Sequence, residues 1–337
     1  MNLNSLFRVN QLTDAINNKE INTGFFSKKG LFSPKPLNSN MILLEEKDGY
    51  LKILEARPQG STGQGLPTES RALRTFKCPH FPIDTHISAN DVGNVREFGS
   101  EMQQSLANQV AEHLGQHKEA HELTKEYLLV TALQGKAVDG AGNILMDSFA
   151  EYGVTQEVFN FADMTTQNKI EKTFRDILRI HDDHLIGDRS TGAEMACGRE
   201  LYDAIFDNEI VKKYYLNASE SRKRLESDNR RGFYIEGVFI YEYADKIKQP
   251  NGSYKQFLST TESIIYPLGT SNTFKNYICP ADFNETVQTY GREYYAKVES
   301  APMGRGYNFH SQSNILPVCL RPKVLVKMIK AWYGSLQ

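Results

Sequence analysis

Two short groups of residues have the types and spacing that could hold a divalent metal. His181-Asp182-Asp183-His184 sets two imidazoles and two carboxylates side by side, the donor set of a zinc or manganese site. On a helix, residues i and i+3 share a face while the two between them turn elsewhere. The flanking sequence proposes no further ligand. The group therefore reads as a solvated helix end, and replacing His181 and His184 by alanine should change stability by no more than about 0.5 kcal/mol. His113, His117 and His121 recur every fourth position and share one helix face. A zinc-protease helix also spaces its histidines by four, but sets a glutamate straight after the first; here Leu114 stands in that place. These rings are expected on a polar face, where they could titrate. Neither group yields a metal ligand or a catalytic residue.

Other chemistry is equally thin. Cys78, Cys197, Cys279 and Cys319 are widely separated and make neither a zinc knuckle nor a redox motif, so they read as reduced and mostly buried. Asp139-Gly140-Ala141-Gly142 lacks the Gly-Lys-Ser/Thr of a phosphate loop and sits between strand-like segments, as a hairpin turn would. Arg222, Lys223, Arg224, Arg230 and Arg231 form a basic cluster, but Glu226 and Asp228 interrupt it. Over the whole chain 39 basic side chains face 41 acidic ones, a net charge of -2. A dedicated nucleic-acid face usually needs a basic excess, so any such contact here is patchy and non-specific. No cofactor motif is present.

The elements around these residues are odd for an enzyme. With 337 residues, 40% of them hydrophobic, the chain can build two lobes of roughly 100–150 residues each. No apolar run approaches the ~18 residues of a membrane span, and Met1 to Asn10 lacks a signal-peptide core, so a soluble, cytoplasmic product is expected. Residues 1–40 read as a polar arm with one short helix near Leu12–Asn18. Met41–Glu45 and Tyr50–Ala56 read as strands. Arg57 to Arg74 holds five glycines and prolines and almost nothing apolar, so it cannot pack a core of its own.

From Gly93 to Gln134 no proline intervenes, and Val95, Phe98, Met102, Leu106, Val110 and Leu114 mark one apolar stripe. The spacing predicts a helix of about 60 Å, started at Asn90 or Asp91 and stopped at Gly135. Its middle, Gly115 to Glu122, lacks large apolar residues and is expected to kink or to lie along a solvated surface. A hairpin follows, from Lys136–Val138 and Asn143–Phe149. Helices are predicted near Lys169–Ile180 and Gly192–Asp207, and strands near Gly232–Tyr243 and Ser263–Pro267. Asn251-Gly252 should turn a second hairpin between Ile247 and Phe257. Ile315–Ile329 is β-branched, with breaks expected at Pro317 and Pro322. The class is α+β, the late strands returning to the lobe of the long helix.

Several words in the chain are more specific. Thr124-Lys125-Glu126-Tyr127-Leu128, followed by Ala132-Leu133-Gln134-Gly135 and Asp139-Gly140-Ala141-Gly142, resembles the junction of spine helix and hairpin in lambda-type tailed-phage major capsid proteins. Gln312 to Pro317, with Arg321-Pro322 and Val324-Leu325-Val326, resembles that family's C-terminal strand. Phe233, Gly237, Tyr241 and Tyr243, then Pro267-Leu268-Gly269 and Pro280-Ala281-Asp282, fit its central lobe. Arg57-Pro58-Gln59-Gly60 and Val95-Arg96-Glu97-Phe98-Gly99 fit its extended loop and helix start. The resemblance spans most of residues 40–330 in the family's order.

What the resemblance implies is a Hong Kong 97-like fold. Residues 1–40 would be an N-terminal arm, 41–88 an extended loop region and 89–165 a peripheral domain with the spine helix. Residues 166–275 would be an axial domain, and 276–337 the return to the peripheral one. It implies a structural protein that self-assembles into hexamers and pentamers of an icosahedral head shell. The subunit would be made in the host cytoplasm and end in the virion, without a membrane. Its partners would be portal, scaffold and decoration proteins and packaged double-stranded DNA, held non-specifically. Arg57, Glu69, Arg71 and Arg74 in the loop would make inter-subunit contacts. Two other readings remain open: a metal-dependent hydrolase using His181, Asp183 and His184, and a cellular nanocompartment shell on the same fold.

Overall fold

A computed structural model describes residues 9–19, 24–47, 71–88, 106–185, 188–217, 232–248 and 252–330. Val9, Leu12 and Ile16 recur on one face and are buried, which makes α1 (Val9–Asn18) an amphipathic helix with a covered stripe. After α2 (Phe25–Lys29), Gly30 at φ 62° ends the helix in the left-handed region glycine enters without cost. Next come β1 (Ser33–Pro36), β2 (Met41–Lys47), β3 (Arg71–Lys77) and β4 (Phe81–Ser88). β2 and β3 pair antiparallel from Met41↔Lys77 to Lys47↔Arg71. The loop expected to reach Arg74 thus ends sooner, because Arg71 to Lys77 complete a ladder with β2. The strand expected at Tyr50–Ala56, the helix start before Leu106 and its cap at Asn90 or Asp91 lie outside the described residues.

The long helix is α3 (Leu106–Leu133), 28 residues and therefore about 42 Å. It ends at Gly135, whose φ of 90° and contact with the Phe149 ring leave no room for a side chain. β5 (Lys136–Val138) and β6 (Ile144–Asp147) form the expected hairpin, Asp139 accepting from the Ala141 and Asn143 amides at its turn. The second strand stops two residues short of Phe149. The Asp147 carboxylate accepts from the Phe149 and Ala150 amides and starts α4 (Ser148–Tyr152) instead.

β7 (Val158–Asn160) and α5 (Gln167–His184) follow, the latter capped by Thr166. The helix expected over Gly192–Asp207 divides in two: β8 (Gly192–Cys197) and α6 (Arg199–Asp207). Ala193, Met195, Ala196 and Cys197 are buried on both faces, as befits a central strand. Gly198 separates the two because a Cβ there would lie 2.0 Å from the Ser259 carbonyl oxygen. Gly198→Ala should therefore force the backbone apart and cost about 3 kcal/mol. Thermal melting checks this, since a change under about 1 kcal/mol would show the contact to be slack.

Beyond α7 (Glu209–Asn217) come β9 (Phe233–Ile235), β10 (Val238–Glu242), β11 (Lys246–Lys248), β12 (Tyr254–Gln256) and β13 (Ser263–Leu268). The chain ends in β14 (Phe274–Ile278), β15 (Tyr295–Ser300), β16 (Gly306–Ser313), β17 (Ile315–Cys319) and β18 (Lys327–Ile329). β11 and β12 form the hairpin anticipated around Gly252. Pro317 does not break its strand. It pairs with Asn276 inside β17, an edge strand whose outer side needs no donor.

Among the described residues four larger cores, and a small one of Leu128, Ile278 and Ile315, organise these elements. The sheet ordered β13-β8-β10-β9 packs Met195, Ile240 and Ile265 against Ile170, Phe174 and Ile177 of α5 and Leu201 and Ile205 of α6. At the C-terminal half of α3, Leu129, Val130 and Leu133 meet Phe26, Tyr241, Tyr266 and Leu325. At its N-terminal half, Val110 and Leu114 meet α1 and the sheet β15-β16-β4 through Leu12, Ile16, Ile87 and Phe309. The fourth large core joins Ile42 and Leu44 of β2 to Tyr277, Leu316 and Val318 of the sheet β1-β14-β17. The late strands β16 and β17 thus pack on α3, while Val326 and Met328 return to the first core.

Candidate assembly site and its buried anchors

β2 is apolar on both faces but covered on only one. Ile42 and Leu44 are buried, whereas Met41 and Leu43 are 56% and 51% exposed. The β2–β3 hairpin therefore presents an uncovered apolar strip at its base, a surface that favours a partner. Of the four loop residues singled out in the sequence, Arg57 and Glu69 lie outside the described residues. Arg71 opens β3 opposite Lys47. Arg74, in the same strand, holds its guanidinium 4.6 Å from the centre of the Tyr152 ring. That cation–π contact within the chain fixes the hairpin base to α4.

α2 has only Gly24 at its start and no side-chain cap of its own. Glu126, buried in α3, supplies one across space: its carboxylate accepts from the Phe26 amide at 2.7 Å and the Ser27 amide at 2.9 Å. Negative charge also suits a helix N-terminus. Burial raises the Glu126 pKa, and the two amide bonds oppose that rise. At the other end of α2, Lys29 pairs with Glu194 and stands over the Phe25 and Tyr241 rings. Tyr266 donates to Glu194 at 2.5 Å and lies 2.9 Å from the Tyr241 hydroxyl. Nothing in the sequence reading singled out Glu126 beyond its place in the Thr-x-Glu-Tyr word.

The polar middle of α3 stays helical and does meet solvent through Gln116, Glu119 and Ala120, but its other face is covered. The helix runs through Gly115–Glu122, and His117, Lys118 and His121 are all buried. Ser311 on β16 stands between the two rings, 2.8 Å from His117 Nδ1 and 2.9 Å from His121 Nε2. Thr85 on β4 is 2.6 Å from His117 Nε2. With neutral rings, the Ser311 hydroxyl accepts from one and donates to the other. Desolvation pushes both pKa values down to about 4. Lys118 donates to the carbonyls of Asn17 and Lys19, closing the C-terminal end of α1 as a cation should. The expectation of a titrating polar face is overturned, because His117 and His121 continue the phase of Val110 and Leu114.

The His181 group is also corrected. His181 is 1% exposed, while Asp182 and Asp183 are exposed and His184 is half-buried. The two aspartates between the histidines face solvent while His181 faces inward, as i+1 and i+2 positions on a helix must. Desolvation pushes the His181 pKa down to about 4, opposed by the backbone at Val324. Replacing His181 would remove a buried ring rather than a solvated one. Among the described residues no cluster of three histidines, cysteines or carboxylates is placed to hold a metal. No helix among them is long and apolar enough to cross a membrane.

Comparison with known proteins bears on what such a molecule is for. The model of the family described as phage major capsid protein E matches residues 8–330. The major capsid protein of Pseudomonas phage KPP10 is 27% identical over 90% of this chain and 91% of its own length. That of Salmonella phage Felix O1 is 23% identical over 96% of each. In structure, a crystal structure described as a prophage capsid protein (E.coli CFT073) matches with a TM-score of 0.60 at 17% identity, covering 96% of this chain and 99% of the other. A fold with these layers, an overlong helix and the paired strands β2 and β3 is thus the Hong Kong 97-like fold of phage capsids. The chain belongs to the phage major capsid protein E family, and it is a shell-forming structural subunit, not an enzyme.

Proposed function

We propose that this subunit closes into hexamers and pentamers of an icosahedral head shell enclosing double-stranded DNA, with the β2–β3 hairpin as its interlocking element. The observation that carries this reading is β2 itself: one apolar face is packed inside the subunit, and the Met41–Leu43 face has no cover within the described chain. A neighbouring copy would supply it. Arg57, Glu69 and Arg71 would add charged contacts to that neighbour, and Arg74 would act from the base, already set against Tyr152. Residues 41–88 would be the extended loop region, 89–165 and 276–337 the peripheral domain, 166–275 the axial domain and 1–40 the arm. Portal, scaffold and decoration proteins would meet the finished capsomers. The subunit would fold in the host cytoplasm before entering the virion. With a net charge of -2, contact with DNA would be non-specific and weak.

Deleting Ser61–Pro67 tests the interlocking role. That stretch is rich in glycine and polar residues and adds little to a core, so ordering its backbone at ~1–2 kcal/mol per residue needs a neighbour's contacts. The shortened subunit should melt at a nearly unchanged temperature, while closed shells are lost or fragile in electron micrographs. Charge reversal at Arg71 should weaken assembly in the same direction, most at low salt. Normal shells from the deletion would refute the role, and an unfolded subunit would place the stretch in the core.

A further inference from the structure

Cys78 and Cys279 are far apart in the chain and meet in the fold. Cys78 directly follows β3 and Cys279 directly follows β14. The segment between β1 and β2 joins the two strand ends: the Leu37 amide donates to the Ile278 carbonyl at 2.8 Å, and the Cys78 amide to the Asn40 carbonyl at 2.9 Å. Both cysteines belong to the core formed with Ile42, Leu44 and Tyr277. The Cys78 and Cys279 side chains are neighbours in that core, close enough to act on each other's ionisation. Cys197 and Cys319 sit in two other cores, each alone. All four are free thiols.

We propose that Cys78 and Cys279 form a latent oxidation site, converted by a small hydroperoxide into an intrachain disulfide that ties the base of the β2–β3 hairpin to β14. Cys78 is the partner with measurable exposure, 8% against 0% for Cys279, so it meets the oxidant first. The Cys78 thiolate attacks one peroxide oxygen, the O–O bond breaks, hydroxide leaves and a sulfenic acid forms. The Cys279 sulfur then attacks the Cys78 sulfur, and the S–OH bond breaks to release water. Two thiols and one peroxide thus give one disulfide and two waters, the sulfurs losing the two electrons that the peroxide gains. The neighbouring Cys279 side chain, and then burial, hold the Cys78 thiol protonated well above the ordinary range. Buried protonated thiols react slowly, so the pair stays reduced during synthesis and oxidises only on long exposure to an aerobic medium.

Purified full-length subunit exposed to dilute hydrogen peroxide, weighed by mass spectrometry, then unfolded in denaturant with a maleimide and digested, tests this directly. The intact mass should fall by about 2 Da for the two hydrogens lost. Two of the four thiols should escape alkylation, and one cross-linked peptide pair should contain Cys78 and Cys279. A thiol reductant should reverse all three signs. Replacing Cys197 and Cys319 by serine should leave the link unchanged. Cys279→Ser should stop at a Cys78 sulfenic acid that dimedone captures. Full alkylation of all four thiols, at a peroxide dose that oxidises an exposed reference thiol, would overturn the proposal. So would a link through Cys197 or Cys319, or between subunits.

Discussion

Between pH 7 and pH 4 the free subunit should lose most of its folding stability, by about 5–10 kcal/mol. The loss comes from three buried imidazoles, His117, His121 and His181, each held neutral in the fold down to about pH 4. In the unfolded chain they take a proton near the ordinary 6.5. Between those values the unfolded state binds more protons, so stability falls as the pH drops through 6.5 and the loss is complete near 4. One pKa unit corresponds to 1.36 kcal/mol, so a ring lowered from 6.5 to about 4 contributes about 3 kcal/mol. His117 is lowered to about the same value, by desolvation first and then by His113 and His310, with Asp84 opposing.

The carboxyl of Glu126 runs the other way. Its raised pKa means the fold retains that proton more readily, offsetting part of the loss. Asp139, Asp147 and Asp188 are lowered below 3.8 and release their contribution only under stronger acid. A domain's whole stability is typically 5–15 kcal/mol, so urea midpoints at pH 7, 5.5 and 4 should fall steeply, with the subunit largely unfolded at the last. An unchanged midpoint would mean the rings are solvated.

Glu126→Ala should cost about 2–4 kcal/mol, since it strands one buried and one half-buried amide donor at once. Phe26 and Ser27 lose the only side-chain cap α2 has, and the Tyr243 hydroxyl, 3.4 Å from Oε1, loses a partner too. Glu126→Gln keeps one acceptor but turns an amide donor toward the other, so an intermediate loss is expected. Urea unfolding gives the size. Hydrogen exchange at residues 24–30 gives the place, because the α2 amides should open first. A cost below about 0.5 kcal/mol would show that water replaces the carboxylate without penalty.

Much of this frame could be read in advance wherever periodicity and turn chemistry agree. α1, the two hairpins around Asp139 and Gly252, and the strands from Phe233 to Leu268 stand where spacing placed them. Gly192–Cys197 was misread because a strand buried on both faces loses its alternation, and short apolar runs cannot be told from buried helix. Pro317 misled because its tolerance depends on which strand lies at an edge, a tertiary fact. The histidines misled by type: His117 and His121 occupy stripe positions, but only Ser311 and Thr85, far away in sequence, make such burial affordable for an imidazole. Assembly itself was legible only through the resemblance of words such as Thr124 to Leu128, since nothing in composition distinguishes a shell subunit.

The central claim is that the chain builds closed shells from many copies. Sedimentation and electron microscopy of the purified full-length protein, across several salt concentrations and with its scaffold present, test it most directly. Capsomers, tubes or shells are expected, each subunit burying beyond ~2,000 Å² against its neighbours. A monodisperse monomer at high concentration under all of these conditions would contradict the account.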